Sequence, residues 1–187
     1  MPDSNLLDIF IENPIIAAVR DDDTLNYALK SNVKVIFVLS SNICTIKDNC
    51  TKLRDAQKTV FLHVDLIDGL KADQSGINFL VSKIPDVGII STKSNCIRLA
   101  NSANLNSIQR VFMLDSSALK TNIQNTSHGH PNFVEVLPGI SPDIISKAVE
   151  HIKIPIIAGG YIQSKNDVFS ALSAGAVAVS TSHQPLW

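Results

Sequence analysis

IPIIAGGYIQSKNDV (Ile154–Val168) is followed closely by AGAVAVSTS (Ala174–Ser182), and each segment opens as an apolar run and closes on small, hydrogen-bonding residues. Ile156–Ala158 runs into Gly159-Gly160, and Ala176–Val179 runs into Ser180-Thr181-Ser182. Glycines let a backbone approach a ligand and leave amide N–H groups unobstructed. Hydroxyls and free amides before a following helix suit a phosphate dianion. In a (β/α)8 barrel the loops after strands seven and eight are the usual phosphate site. These two segments are therefore read as the seventh and eighth strands of such a barrel.

The rest of the chain supplies the other six. Short runs rich in Val and Ile recur at Ile15–Val19, Val33–Leu39, Val60–Val64, Gly88–Ser91, Ser107–Leu114 and Phe133–Leu137, before Ile156–Ala158 and Val177–Ser180. Runs apolar on both faces are what buried parallel strands require. Amphipathic stretches separate them: Thr24–Lys30, Thr45–Gln57, Asp73–Ile84, Asn95–Asn104, Ser117–Gln124, Pro142–Ile152 and Asn166–Ala174. Ser141-Pro142-Asp143 sets a cap before a first-turn proline, and Ser164 precedes Asp167 by three residues. The alternation predicts parallel strands joined by crossover helices. A doubly wound open sheet is the rival. It calls for a glycine-rich first turn, whereas the first strand here runs into Val19-Arg20-Asp21-Asp22-Asp23.

The expectation is an α/β protein with one short TIM (β/α)8 barrel domain, residues 1–187, and a reduced or missing eighth helix. Only His183–Trp187 follow Ser182. The amphipathic segment Leu6–Glu12 is a candidate cover for part of the barrel. The exposed flank is a candidate homo-oligomer contact, with Trp187 as an anchor. With 187 residues the chain is short for an architecture of about 250, so its loops must be brief. NTSHGHPN (Asn125–Asn132) is the one longer loop-like tract, and it is expected to place His128 and His130 in solvent.

Composition excludes several classes. No apolar run approaches the roughly 20 residues of a membrane span. The N-terminal MPDSNLLDIF is unlike a signal peptide. Cys44, Cys50 and Cys96 lack metal-ligand or disulfide spacing, which reads as reduced, structural thiols of a cytoplasmic protein. No residues show metal-ligand spacing, and no cofactor is implied. A net charge of −1 is no general footprint for nucleic acid.

Functional side chains of a barrel sit at the C-terminal strand ends and point inward. Candidates there are Arg20, the pair His63 and Asp65, Lys93, Gln109 and Arg110, and Glu135 between Val134 and Val136. Glu135 is the most telling, because a carboxylate in a buried strand costs several kcal/mol unless paired. Arg110 on the neighbouring strand would satisfy it as a structural ion pair; alternatively Glu135 accepts hydrogen bonds from ligand hydroxyls. Arg20 either faces a bound anion or pairs with the aspartates after it. The small-residue ends add Gly159, Gly160, Ser180, Thr181 and Ser182 as ligand-binding positions.

Taken together, PIIAAVR (Pro14–Arg20), VFLHVDLIDGL (Val60–Leu70), GIISTKS (Gly88–Ser94), SIQRVFMLDS (Ser107–Ser116), EVLPG (Glu135–Gly139), IPIIAGGYI (Ile154–Ile162) and AGAVAVSTS with a terminal LW resemble the glycerol-3-phosphate-responsive antiterminator family, bacterial regulators of glycerol uptake and use operons. Tyr161 departs from it, standing where an aliphatic residue is more usual. The resemblance implies a non-enzymatic barrel whose effector is sn-glycerol 3-phosphate, a small phosphorylated ligand, and whose partner is a leader mRNA kept from terminating. Arg20, Asp65, Lys93, Arg110 and Glu135 stand inside the matching segments; their roles remain inferences from the residues. For RNA, Lys47, Lys52, Arg54 and Lys58 are candidates along one helical stretch. A phosphosugar enzyme on the same barrel, or a metabolite sensor with a protein partner, are the alternatives.

Overall fold

The computed structural model describes residues 4–187. Eight parallel strands close into a barrel: β1 (Ile15–Val19), β2 (Val35–Val38), β3 (Thr59–His63), β4 (Val87–Ser91), β5 (Ser107–Phe112), β6 (Phe133–Leu137), β7 (Ile156–Gly159) and β8 (Ala178–Thr181). Closure is made by β1 on β8, with Ile15 beside Val179, Ile16 beside Ser180 and Ala17 beside Thr181. An open sheet is thereby excluded.

Helix α1 (Ser4–Glu12) precedes the barrel. Then α2 (Asp22–Lys30), α3 (Ile46–Asp55), α4 (Gln74–Lys83), α5 (Ser94–Ser102), α6 (Ser116–Gly129), α7 (Pro142–His151) and α8 (Lys165–Ser173) follow strands one to seven in turn. After β8 comes a three-residue 3-10 turn, Gln184–Leu186, where an eighth crossover helix would lie. No helix among the described residues is long and apolar enough to cross a membrane.

Double-sided apolarity has its expected cause. Ala17, Val19, Ile36, Val38, Leu62 and Ile89 pack outward against the helices. Ile16, Phe37, Phe61, Ile108, Phe133 and Ala178 fill the interior. Leu6 and Phe10 of α1 join that interior cluster, with the Phe10 ring 4.5 Å from Phe133 and 5.8 Å from Phe61. Helix α1 is thus a plug for the N-terminal end of the barrel. Burying a side chain such as Phe10 is worth about 1.5–3 kcal/mol. The flank beside β1 and β8 is covered instead by Trp187, whose indole packs edge-on against Tyr27 of α2 and donates to the Thr181 carbonyl at 3.0 Å.

Local signals hold at most boundaries. Ser164 and Asp167 form a reciprocal capping box. Ser141 precedes Pro142 as N-cap, although its hydroxyl makes no cap bond. The exception is Asn125–Asn132, expected as a loop: α6 continues to Gly129 and ends on His130 in the left-handed region. Its polar side chains turn back on their own helix. Ser127 Oγ donates to the Ile123 carbonyl, and His128 Nδ1 lies 2.8 Å from the Gln124 carbonyl. Residues that read as loop formers here satisfy themselves four residues back. His128 and His130 are exposed, as expected. The cysteines are free thiols; burial pushes Cys50 up to about 12 and Cys96 up to about 11, so both stay protonated.

Candidate functional site

Two residues beyond the apolar interior of Phe61, Ile108, Phe133 and Ala178, the same inward faces carry His63, Arg110, Glu135 and Ser180, all buried. The alternation of a strand therefore stacks one polar layer on an apolar one, at the C-terminal mouth. Arg110 and Glu135 are direct neighbours in register, and the Arg110 Nε–H donates to Glu135 Oε2 at 2.6 Å. Ser180 Oγ donates to Glu135 Oε1, also at 2.6 Å. Gly159 makes room for this: a Cβ there would lie 2.6 Å from Glu135 Oε1 and 2.8 Å from Ser180 Oγ.

A cavity of about 390 Å³ opens above that network. Its floor is Arg110, Glu135 and Ser180, and its apolar wall is Ala18, Leu39 and Leu137. One side is the loop after β7, from Gly160 to Gln163; the other is Thr181 to His183. Arg20 completes the rim. Gly160 holds φ +88°, a conformation that disfavours any side chain. The Arg20 guanidinium has no ion pair among the described residues. Of the aspartates after it, Asp21 caps α2 and accepts from the Thr24 amide at 2.8 Å, while Asp22 and Asp23 stand in the first turn of that helix. Arg110 spends only its Nε on Glu135, and its terminal nitrogens have no protein partner among the described residues. Two guanidinium groups against one carboxylate leave the cavity net positive.

Thr181 lines the cavity, but its hydroxyl is engaged, donating to the Ile162 carbonyl at 2.6 Å and accepting from the His183 amide at 3.0 Å. It ties the two ligand-side loops together. Ser182 is exposed and its hydroxyl has no partner among the described residues. Tyr161, Gln163 and His183 also line the cavity and were not singled out by sequence. They directly follow the glycine pair and the hydroxyl run, which is the signal that would have included them.

Asp65 and Lys93 fall elsewhere. Strand β3 ends at His63, and Val64–Leu66 turn into a 3-10 helix, so Asp65 stays near His63 but does not continue along the inward face of the strand. Asp65 instead accepts from Ser91 Oγ at 3.0 Å and the Thr92 amide at 2.7 Å, while Lys93 Nζ lies 3.7 Å away. This cluster fixes the start of α5 and does not line the cavity. His63 Nδ1 is buried without a hydrogen bond, 3.9 Å from Asp65 Oδ2. Desolvation first, and then the Arg110 charge, push its pKa down to about 4, so the ring is neutral. Gln109 faces outward beneath α6, as alternation predicts, with its side-chain oxygen unpartnered. Among the described residues no group of three His, Cys, Asp or Glu could hold a metal.

The four basic residues read as lying along one helical stretch do not share a face. On α3, Ile46, Cys50 and Leu53 face the core. At about 100° per residue, Lys47 and Arg54 then share one flank and Lys52 takes the other. Lys58 lies beyond the helix, donating to the Ser31 and Val33 carbonyls at 2.8 and 2.7 Å.

Known proteins share this fold. Over residues 15–187 the chain matches the model of the family described as glycerol-3-phosphate responsive antiterminator. A curated relative, uncharacterized protein YgcP of Escherichia coli (strain K12), is 36% identical over 182 residues, covering 97% of this chain and 95% of that protein. The crystal structure of a glycerol uptake operon antiterminator regulatory protein from Listeria monocytogenes is 34% identical, with a TM-score of 0.90, covering 100% of this chain and 97% of that one. A glycerol uptake operon antiterminator-related protein from Thermotoga maritima is 30% identical, with a TM-score of 0.82, over 94% of this chain and 98% of that one. The match spans every barrel strand and both loops of the cavity, and the chain belongs to the glycerol-3-phosphate responsive antiterminator family.

Proposed function

We propose that this protein is a transcription antiterminator of glycerol-use operons that binds sn-glycerol 3-phosphate in the mouth cavity and then holds leader mRNA in a form that escapes termination. One observation carries the ligand reading. The cavity joins an anion end, made by the unpaired Arg20, the free nitrogens of Arg110, Gly160 and Ser182, to a polar floor at Glu135. A phosphorylated polyol has that division. Phosphate would sit against Gly160 and Ser182, and the Glu135 carboxylate would accept from glycerol hydroxyls. About 390 Å³ is at the small end of the roughly 300–1,000 Å³ typical of ligand sites, as suits a three-carbon effector. The cavity favours binding over turnover. Glu135 is held by two hydrogen bonds, Asp65 lies outside, and neutral His63 does not line it. The RNA half of the reading rests on the family to which the chain belongs.

The test is thermal unfolding with and without ligand. A ligand at 100 times its Kd adds about 2.7 kcal/mol. For a domain of this size that is a rise in Tm of about 5–11 °C. Gly160→Val forces a branched side chain onto φ +88° at the cavity wall, beside Leu137 and next to the proposed phosphate position. It should abolish the ligand-induced rise, measured from the variant's own unliganded Tm. A full rise in the variant means the ligand binds elsewhere. Turnover of glycerol 3-phosphate or a related phosphosugar would favour an enzyme instead.

A further inference from the structure

The mouth end is of mixed charge, with Asp21, Asp22, Asp68, Asp73, Asp115 and Asp167 among Arg20, Lys71, Lys93 and Lys165. At the opposite end, two adjoining segments lead into β2 and β3. They hold Lys30, Lys34, Lys52, Arg54 and Lys58 against the single acid Asp55. Their adjacency is fixed by hydrogen bonds: the Thr59 amide donates to the Lys34 carbonyl at 2.8 Å, and Lys58 Nζ clasps Ser31 and Val33. Burial, and then the Lys34 charge, lower the Lys58 pKa. None of these five cations has an ion-pair partner among the described residues.

A groove of about 240 Å³ lies at the same corner, with Val33, Leu186 and Trp187 as apolar walls and Asn13 and Asn32 at its rim. Tyr27, 47% exposed, stands against Trp187 one helical turn before Lys30. Cations, a half-buried indole and side-chain amides are the chemistry that binds an unpaired base and its flanking phosphates. We propose that the leader RNA docks at this N-terminal corner, its phosphates on Lys34, Arg54 and their neighbours and an unpaired base in the groove against Trp187. The proposal rests on the antiterminator reading and adds the surface.

It also gives the ligand a route to the RNA. The chain from cavity to groove is short: Ser182 lines the cavity, the 3-10 turn follows, and Trp187 lines the groove. The indole is bonded to the carbonyl of Thr181, which itself lines the cavity and ties its two loops together.

Two measurements on the full chain test this, both with glycerol 3-phosphate at saturation and the leader RNA of a glycerol-use operon. In a gel shift, the double variant Lys34→Gln, Arg54→Gln should lose about 25-fold in affinity at 0.1 M salt, and the log–log salt slope should become shallower by about 1.4, for two phosphate contacts on single-stranded RNA. Its ligand-induced rise in Tm should equal that of the unaltered protein. Lys71→Gln, Lys165→Gln at the mouth should leave affinity unchanged. Trp187 is the one tryptophan of the sequence, so its fluorescence should be quenched by the RNA. RNA binding unaltered by Lys34→Gln, Arg54→Gln, or bound without change in Trp187 emission, overturns the surface while the antiterminator reading stands. If the unaltered protein fails to retard the RNA while the ligand still raises its Tm, both fall, and a protein partner is favoured.

Discussion

Neutralising one member of the Arg110–Glu135 pair is the sharpest probe of the mouth. The pair is 2.6 Å apart, with side-chain exposures of 8% and 1%. Glu135→Gln keeps the shape and leaves a guanidinium buried without its counter-ion. Arg110→Met leaves a carboxylate held only by Ser180 Oγ. Losing one partner of such a pair costs about 3–5 kcal/mol, because the cost is that of the stranded charge. The double variant strands neither charge. Its cost should fall below the sum of the two by about 2–3 kcal/mol, the upper range for contacting residues. Urea unfolding of the four proteins gives the cycle directly. For a chain of this size each single variant should also lower Tm by about 6–20 °C. If the two losses add to within about 0.5 kcal/mol, the residues do not interact energetically, and the buried pair is not what holds the mouth together.

Two further outcomes follow from the same layer. His63 has a folded pKa near 4 against an ordinary 6.5, so the unfolded chain binds the extra proton between those values and stability must fall with falling pH across that window. Unfolding free energy should drop by about 3 kcal/mol from pH 6.5 to pH 4, and His63→Gln should remove that part of the slope; an unchanged slope in the variant would assign it to other groups. Gly159→Ala puts a methyl 2.6 Å from Glu135 Oε1 and should cost about 1–3 kcal/mol by overpacking, read as a lower urea midpoint. A neutral result would show that the Glu135–Ser180 contact yields freely.

Much of this was legible because buried parallel strands leave a strong pattern. Ile15–Val19 and Phe133–Leu137 coincide with β1 and β6, since nothing but a two-sided apolar setting explains those runs. Glu135 stood out for the complementary reason: a charge inside such a run must be paired, and the register supplied Arg110. What misled were places where local chemistry changes the period. Strand alternation points Asp65 into the mouth with His63, but the strand ends in a 3-10 turn, and Asp65, though 3.9 Å from His63, stays outside the cavity. Polar residues of Asn125–Gly129 looked like a loop, yet bonded back onto their own helix. Lys47, Lys52 and Arg54 do lie on one helix, but on different flanks of it, and Lys58 falls beyond its end. Tyr161 places no burden on the core, because it is 74% exposed at the cavity rim.

The closed barrel also limits where a ligand signal can travel. All eight strands are hydrogen-bonded on both sides, and Phe10, Phe61 and Phe133 fill the N-terminal end, so a shift through the interior would have to displace close-packed rings. The segment from Ser182 to Trp187 is different. It carries a single 3-10 turn in place of a helix and packs on the barrel through Trp187 and Leu186. Thr181 holds it through one indole bond and one amide bond. Moving that segment breaks few contacts, and it borders both the cavity and the groove. A ligand shifts such an element only by its difference in affinity between the two positions. The unpaired Arg20, at the strand end next to Ser182, and the free nitrogens of Arg110 are placed to make that difference large for a dianion and small for an uncharged polyol.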